Sequence, residues 1–497
     1  MTKPRYPSLY QLNTRVRLTE LSRQLGRFAT LDDLTDAELD WLADLGFDWL
    51  WLLGVWQTGE ASRQVSRSNP AWQAEFQSTL PDLQESDICG SCFAITGYTV
   101  KAEMGGNTAM ERLRTRLKQR GLRLLLDFVP NHMALNHPWV EENPAFFIGG
   151  TDDDLAREPH NYTLVNSADG SLILAYGRDP YFAGWPDTVQ LNYGNPELQN
   201  AMRAELLNNA ALCDGIRCDM AMLIEPEVFE RTWGIRPEPF WANAIEHVQQ
   251  QFPDFLFMAE VYWDMEWDLQ QHGFHYTYDK RLYDRLRDQH ARPVREHLYA
   301  GLDFQDKLVR FLENHDEPRA AATFPFAVHR AAAVVTFCNP GLRFFHQGQL
   351  EGWQKRISPH LCRGPNEPTN QNVQAFYLRL LDCLQHSALR EGDWQLLDCV
   401  AVAEGNDSWD GFIASAWREQ GRIKLLVVVN YAPSQGQCFV HLPFDDLQGG
   451  YYQLVDLLGP ARYDREGDRL FSTGLFLDMT PWGYHVFELQ KKGIGIS

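Results

Sequence analysis

Eight short apolar runs punctuate the chain as far as residue 348. They are SLYQLN near residue 8, FDWLWLL near 47, LRLLLDFV near 122, GIRCDM near 215, FLFMAEVYW near 255, FHYTYD near 274, KLVRFLENHD near 307 and LRFFHQG near 342. Each is of strand length. Several intervening segments carry apolar residues at three-to-four spacing; NTAMERLRTRLKQRG is one, and it ends on a glycine stop. Strand–helix units in this number predict a closed (β/α)8 TIM barrel, an α/β fold whose site lies at the C-terminal strand ends. An open doubly wound sheet is the alternative, and no GxGxxG-type loop supports it.

Two stretches break the pattern. Residues 133–195 are irregular and rich in Pro, Asn, Asp, Gly and aromatics, long enough to form a subdomain inserted after the third strand. From about 391 the runs FIASAW, IKLLVVVNY, GQCFVHL, YYQLVDLL and GYHVFEL predict a C-terminal antiparallel β-sandwich. The expected organisation is a barrel over 1–132 and 196–390, an inserted subdomain over 133–195, and the sandwich over 391–497.

Four of the expected strands end in polar residues that a buried strand does not need. The third ends Asp127-Phe128-Val129-Pro130-Asn131-His132, and the fourth carries Arg217-Cys218-Asp219. The fifth ends at Glu260 and the seventh at Glu313-Asn314-His315-Asp316. A barrel brings these ends to one face. Clustered carboxylates with an arginine suit glycosidic bond cleavage, where one protonated carboxyl serves the leaving oxygen and an ionised one attacks carbon or activates water. Arg217 and Asp219 are two apart and share one side of a strand, so Arg217 is expected to hold Asp219 ionised. Glu260, beside Tyr262 and Trp263, is the better proton donor. Each element also has a plain structural reading: an ion pair, a packed histidine, a turn cap. The coincidence of four strand ends favours the chemical one.

DFVPNH, DGIRCD, FMAE and FLENHD resemble, in order and spacing, the four signature segments of the α-amylase family, glycoside hydrolase family 13. The resemblance spans about residues 5–490. It implies Asp219 as nucleophile, Glu260 as general acid/base and Asp316 as transition-state stabiliser. It further implies that Arg217 orients the nucleophile, that His132, His315 and Asp127 serve the sugar in the cleaved subsite, and that Tyr98 of Gly97-Tyr98 is a platform for it. Trp263 joins them as a candidate substrate-binding residue. The implied activity is retaining hydrolysis of α-glucosidic bonds in α-glucosides, oligosaccharides or α-glucans through a covalent glucosyl-enzyme intermediate, so the implied substrate is an α-linked glucosyl carbohydrate.

Departures from the pattern qualify that picture. Met222 and Leu223 stand where typical α-amylases carry Lys-His, which weighs against long polymers, and Gln190 stands where an acidic calcium ligand is usual. An amide offers no charge to a hard cation. No cofactor is therefore expected, and a structural calcium is disfavoured although Asn131 is retained. The segments NHDEPR and QLNYGNPEL are similar to the intracellular α-glucosidase branch, which points to short α-glucosides or oligosaccharides.

The net charge of −21 argues against nucleic acid and anionic membranes as partners. Aromatic residues, with 16 Trp, 18 Tyr and 28 Phe, can stack on sugars, though most will be core. Nine scattered cysteines include one CxxC, Cys89 and Cys92, without a matching second pair, so no zinc site is expected. No signal-peptide core and no membrane-length apolar run is read, which makes the cytoplasm the expected location. A transglycosylase or phosphorylase with the same machinery is the alternative. An inactive scaffold or transporter subunit is more distant, because such relatives lose a carboxylate and none is lost here.

Overall fold

The computed structural model describes residues 4–167 and 170–492; residues 1–3 and 493–497, the outer ends of the expected barrel and sandwich, lie outside them. All eight expected runs contain strands: β1 (Ser8–Asn13), β2 (Trp49–Leu53), β3 (Arg123–Phe128), β4 (Gly215–Cys218), β5 (Leu256–Ala259), β6 (Tyr276–Tyr278), β7 (Leu308–Arg310) and β8 (Leu342–His346). They pair in sequence order, all parallel, and β8 closes on β1. Every residue of β1, β2, β4, β5, β7 and β8 is buried. One face fills the barrel and the other meets helices, which is why these runs are continuous rather than alternating. The helix Gly106–Gln119 shows the fit: Ala109, Met110, Leu113 and Leu117 are buried on one face. Gly121, at φ 77°, then turns the chain back toward β3 in a left-handed conformation that suits glycine.

Three excursions rise from the barrel. The one after β3 carries the ribbon Tyr162–Ser167 with Gly170–Ala175, and the short pair His132–Ala134 with Thr188–Gln190. The sequence did not signal the one after β2, which runs through helices Glu60–Ser68 and Pro70–Thr79. That excursion meets the segment after β8 at an antiparallel bridge between Ile88 and Leu361. Phe76, Leu80, Ile88 and Leu361 form a small core of their own there. The Cys89 thiol faces Cys362 across this junction, and Arg15 donates to Cys89 Sγ at 3.3 Å.

The C-terminal region is a sandwich of a six-stranded and a three-stranded antiparallel sheet with a separate core. Four of its strands went unread in the sequence: Asp393–Leu397, Cys399–Val400, Arg462–Glu466 and Leu475–Met479. The charged alternation RYDRE of the third is that of an edge strand with little burial. Trp417 seals the seam with the barrel: its ring meets Tyr6 at 5.2 Å and its indole N–H donates to Cys338 O at 2.9 Å. Replacing Trp417 by Ala removes a wholly buried indole and orphans a carbonyl, so the variant should lose about 3–5 kcal/mol, read as a fall in the urea midpoint.

Candidate active site

Strand register brings the acids together. The β3–β4 pairing sets Asp127 opposite Arg217, and the β4–β5 pairing sets Cys218 opposite Ala259. Asp219 and Glu260 therefore leave adjacent strands side by side. Their peptide N–H groups extend the ladder, Asp219 to Phe128 O at 2.8 Å and Glu260 to Cys218 O at 3.0 Å.

Arg217 has no solvent exposure and lies at the centre. Its Nη1 donates to Asp219 Oδ1 at 2.7 Å and to Asp127 Oδ1 at 3.4 Å, while Nη2 donates to Glu260 Oε2 at 2.7 Å. The rings of Trp51, Phe93 and Tyr278 pack around the guanidinium, centroids 5.4, 5.3 and 5.9 Å away. Glu260 also accepts from the Met220 N–H at 2.8 Å and from the Tyr262 hydroxyl at 2.8 Å. Met220 is held at φ 43°, a left-handed conformation costly for a side chain of its size. Asp316 is presented by an Asn314 turn: Asn314 Oδ1 accepts the Asp316 and Glu317 N–H groups, each at 2.8 Å.

Burial sets the protonation of this cluster. It pushes Glu260 up to about 7 and Asp219 to about 6, Arg217 pulling down and neighbouring acids adding to the rise. Asp127 is raised by burial to about 6, and Asp316 is raised as well. Arg217 pairs with Asp219 as expected, but not with it alone. It is divided among three acids, and burial outweighs it. Burial also pushes His132 down to about 3 and His315 well below its usual range, so both imidazoles are neutral. Gln11 donates to His315 Nδ1 at 3.0 Å, which places the proton on Nε2. That N–H is 3.1 Å from Asp316 Oδ2 but off the line of a hydrogen bond, a buried donor without a partner.

Asp219, Glu260, Asp316 and His132 line one cavity of about 300 Å³. Phe93, Trp185 and Tyr262 share its wall, and on the side of the segments after β2 and β8 stand Trp72 and His360. This combination of acids, neutral imidazoles and ring faces can hold a polyhydroxylated ring and exchange protons with it.

The sequence profile of the α-amylase catalytic domain matches residues 27–367. The chain belongs to the α-amylase family. Among its relatives, α-amylase MalA of Haloarcula japonica is 24% identical over 286 residues, covering 56% of this chain and 39% of that protein. An intracellular maltogenic amylase of Bacillus subtilis is 24% identical over 329 residues, covering 61% and 51%. The chain thus spans about half the length of the curated relatives it matches. Its fold is that of a maltogenic α-amylase from Thermotoga neapolitana, with a TM-score of 0.68 and 16% identity over 97% of this chain and 98% of that one. An α-amylase from Lactobacillus plantarum is comparable, at 0.66 and 21% over 97% and 99%.

Within this α-amylase framework, Arg217, Asp127 and His315 stand beneath the cavity rather than on its surface. Two residues expected at the sugar are elsewhere. Tyr98 is packed behind the site, stacked on Phe128 at 5.2 Å, its hydroxyl accepting the Val129 N–H at 2.9 Å and donating to Val129 O at 3.0 Å. Phe93 instead turns its ring to the cavity, 5.4 Å from His315. The signal was the aromatic just before Ala94-Ile95, overshadowed by the Gly97-Tyr98 resemblance. Trp263 is 36% exposed, at φ 64°, with its ring edge-on to Tyr181 at 5.0 Å and outside the cavity wall. Trp72, Asp187 and His360 come from excursions whose path the sequence did not reveal.

Gln190 and Asn131 do meet. The Gln190 amide nitrogen donates to Asn131 O and Asn131 Oδ1 at 3.0 Å each, and to Leu191 O at 3.1 Å. A hydrogen-bond donor thus occupies the space between oxygens that a cation would need.

A carboxyl raised in the folded state stabilises the fold below its unfolded pKa, and that stability is lost as pH rises through the folded value. Glu260→Gln should therefore melt a few degrees above the wild type at pH 8, with the gap closing toward pH 5. Thermal melts across that range would show it; an unchanging gap would contradict the raised pKa.

Proposed function

We propose that the chain is a retaining glycoside hydrolase acting on α-glucosidic bonds of short α-glucosides and oligosaccharides. The observation that carries this reading is the sharing of one guanidinium by Asp219 and Glu260. Two carboxyls bound to the two terminal nitrogens of a single arginine are held close, which supports the separation of about 5–5.5 Å used in double displacement rather than the wider inverting range.

Glu260, kept protonated by burial up to near neutral pH, donates its proton to the glycosidic oxygen as the bond to the anomeric carbon breaks. Asp219 attacks that carbon and forms the glucosyl-enzyme. Glu260, now ionised, takes a proton from water, whose oxygen displaces Asp219 and releases the sugar. Asp316, its side chain 40% exposed, adds a third carboxylate beside the developing positive charge. His132 on the cavity wall is a donor for sugar hydroxyls. The small cavity and the apolar Met222 and Leu223 support short substrates over polymers.

The residues do not fit a structural calcium. The Gln190 amide points hydrogens at the Asn131 oxygens, which a cation would require for itself. No helix of the described residues is long and apolar enough to cross a membrane. Nine free thiols suit a reducing compartment, and the cytoplasm is the location we assign.

Asp219→Asn should lower kcat/KM on maltose or an aryl α-glucoside by about 10⁴-fold or more while the melting temperature stays near that of the wild type. Near-wild-type turnover would remove Asp219 from the nucleophile's role. The sugar first released should be the α-anomer, read by proton NMR within the first turnovers; the β-anomer would mean inversion. Treatment with a chelator should leave both activity and melting temperature unchanged, and a fall of several degrees would reveal a bound divalent ion.

A further inference from the structure

The barrel order places β5 four positions from β1 in either direction, so Glu260 stands across the mouth from the end of β1. The segments after β2 and β8, which flank β1, meet above that end. They bring Trp72 and His360 to the cavity. The proton donor must face the leaving group, so this wall meets the opposite, non-reducing side of the bound glucosyl unit.

The wall is built rather than draped. Trp72 and His360 pack with ring centroids 4.4 Å apart and their planes tilted by 42°, and Phe76 backs His360 at 6.0 Å. Arg363 pairs with Asp87 at 2.6 Å and Asp82 at 2.9 Å, and Arg356 pairs with Glu75. One helix, Glu60–Ser68, fixes the polar groups. Its buried Ser62 donates to Asp187 Oδ2 at 2.8 Å. One turn on, Ser66 donates to Ser62 O at 2.8 Å and so accepts from His360 Nδ1 at 2.8 Å. This leaves His360 Nε2 as an acceptor. Burial pushes His360 down to about 3, which keeps the ring neutral.

We propose that Trp72, His360 and Asp187 form an end cap that stops the cavity beyond one glucosyl unit, so that the enzyme works inward from non-reducing chain ends and releases single glucose units. Asp187 and His360 Nε2 accept hydrogen bonds from the outermost hydroxyls of that unit, and Trp72 occupies the path of a preceding one. The volume of about 300 Å³ lies at the bottom of the range of ligand pockets, about 300–1,000 Å³. The inference rests on the hydrolase reading above.

The test compares maltoheptaose with the same chain carrying an ethylidene group across the outer hydroxyls of its non-reducing glucose. The wild type should hydrolyse the free chain at least about 100-fold faster, with glucose as first product. Trp72→Gly combined with His360→Ala should narrow that ratio to about 10-fold or less. Asp187→Asn should raise KM for the free chain by about 10-fold with a smaller change in kcat. Hydrolysis of both chains by the wild type within about threefold, or first products of maltose and longer, would overturn the cap and leave the hydrolase standing. Hydrolysis of neither chain, nor of any α-glucoside, would overturn the hydrolase reading and the cap with it. The wild-type comparison needs no variant, so a double variant that fails to fold does not protect the proposal.

Discussion

Arg217 reaches Asp219, Glu260 and Asp127 from a position without solvent contact, under three aromatic rings. A buried cation of this kind is tolerable because each terminal nitrogen finds a carboxylate, and the carboxylates are tolerable because of it. Removing the arginine would leave like charges facing one another in a cavity floor. Removing the acids would strand the arginine. The strand pairing that sets Asp127 opposite Arg217 fixes this arrangement before any loop is placed.

One positive charge is too few for the acids around it, and that shortage is useful. With burial it holds protons on carboxyls toward the neutral range, Glu260 among them. The same environment weakens the fold at alkaline pH, so chemistry and stability pull in opposite directions at this point. The left-handed Met220, whose N–H reaches Glu260, is a second instance of local cost at the same place.

The barrel and its acids were legible because they follow short-range rules. Continuous apolar runs of strand length mark β1 to β8, and a polar residue ending such a run has few structural reasons to be there. Charged edge strands such as Arg462–Glu466 lack that apolar signature and went unread. The inner wall was hidden for another reason. Trp72, Asp187 and His360 lie on three separate excursions, and their meeting depends on a bridge between Ile88 and Leu361 that no local pattern announces. Phe93 and Tyr98 differ in a subtler way. Both are aromatics around one short strand, and only packing decides which ring faces the cavity and which faces Phe128. Arg217 was readable as a partner of Asp219 from its i, i+2 spacing, whereas its bond to Glu260 needed the register of a neighbouring strand.

The small core of Phe76, Leu80, Ile88 and Leu361 is distinct from the core of the barrel. The clustered acids and the wall of the proposed end cap are therefore carried by two hydrophobic units joined through loops. Substitutions in the smaller unit can accumulate without disturbing the larger one. On the proposed function, descendants of this chain are free to change which sugars they accept while the acids beneath remain as they are.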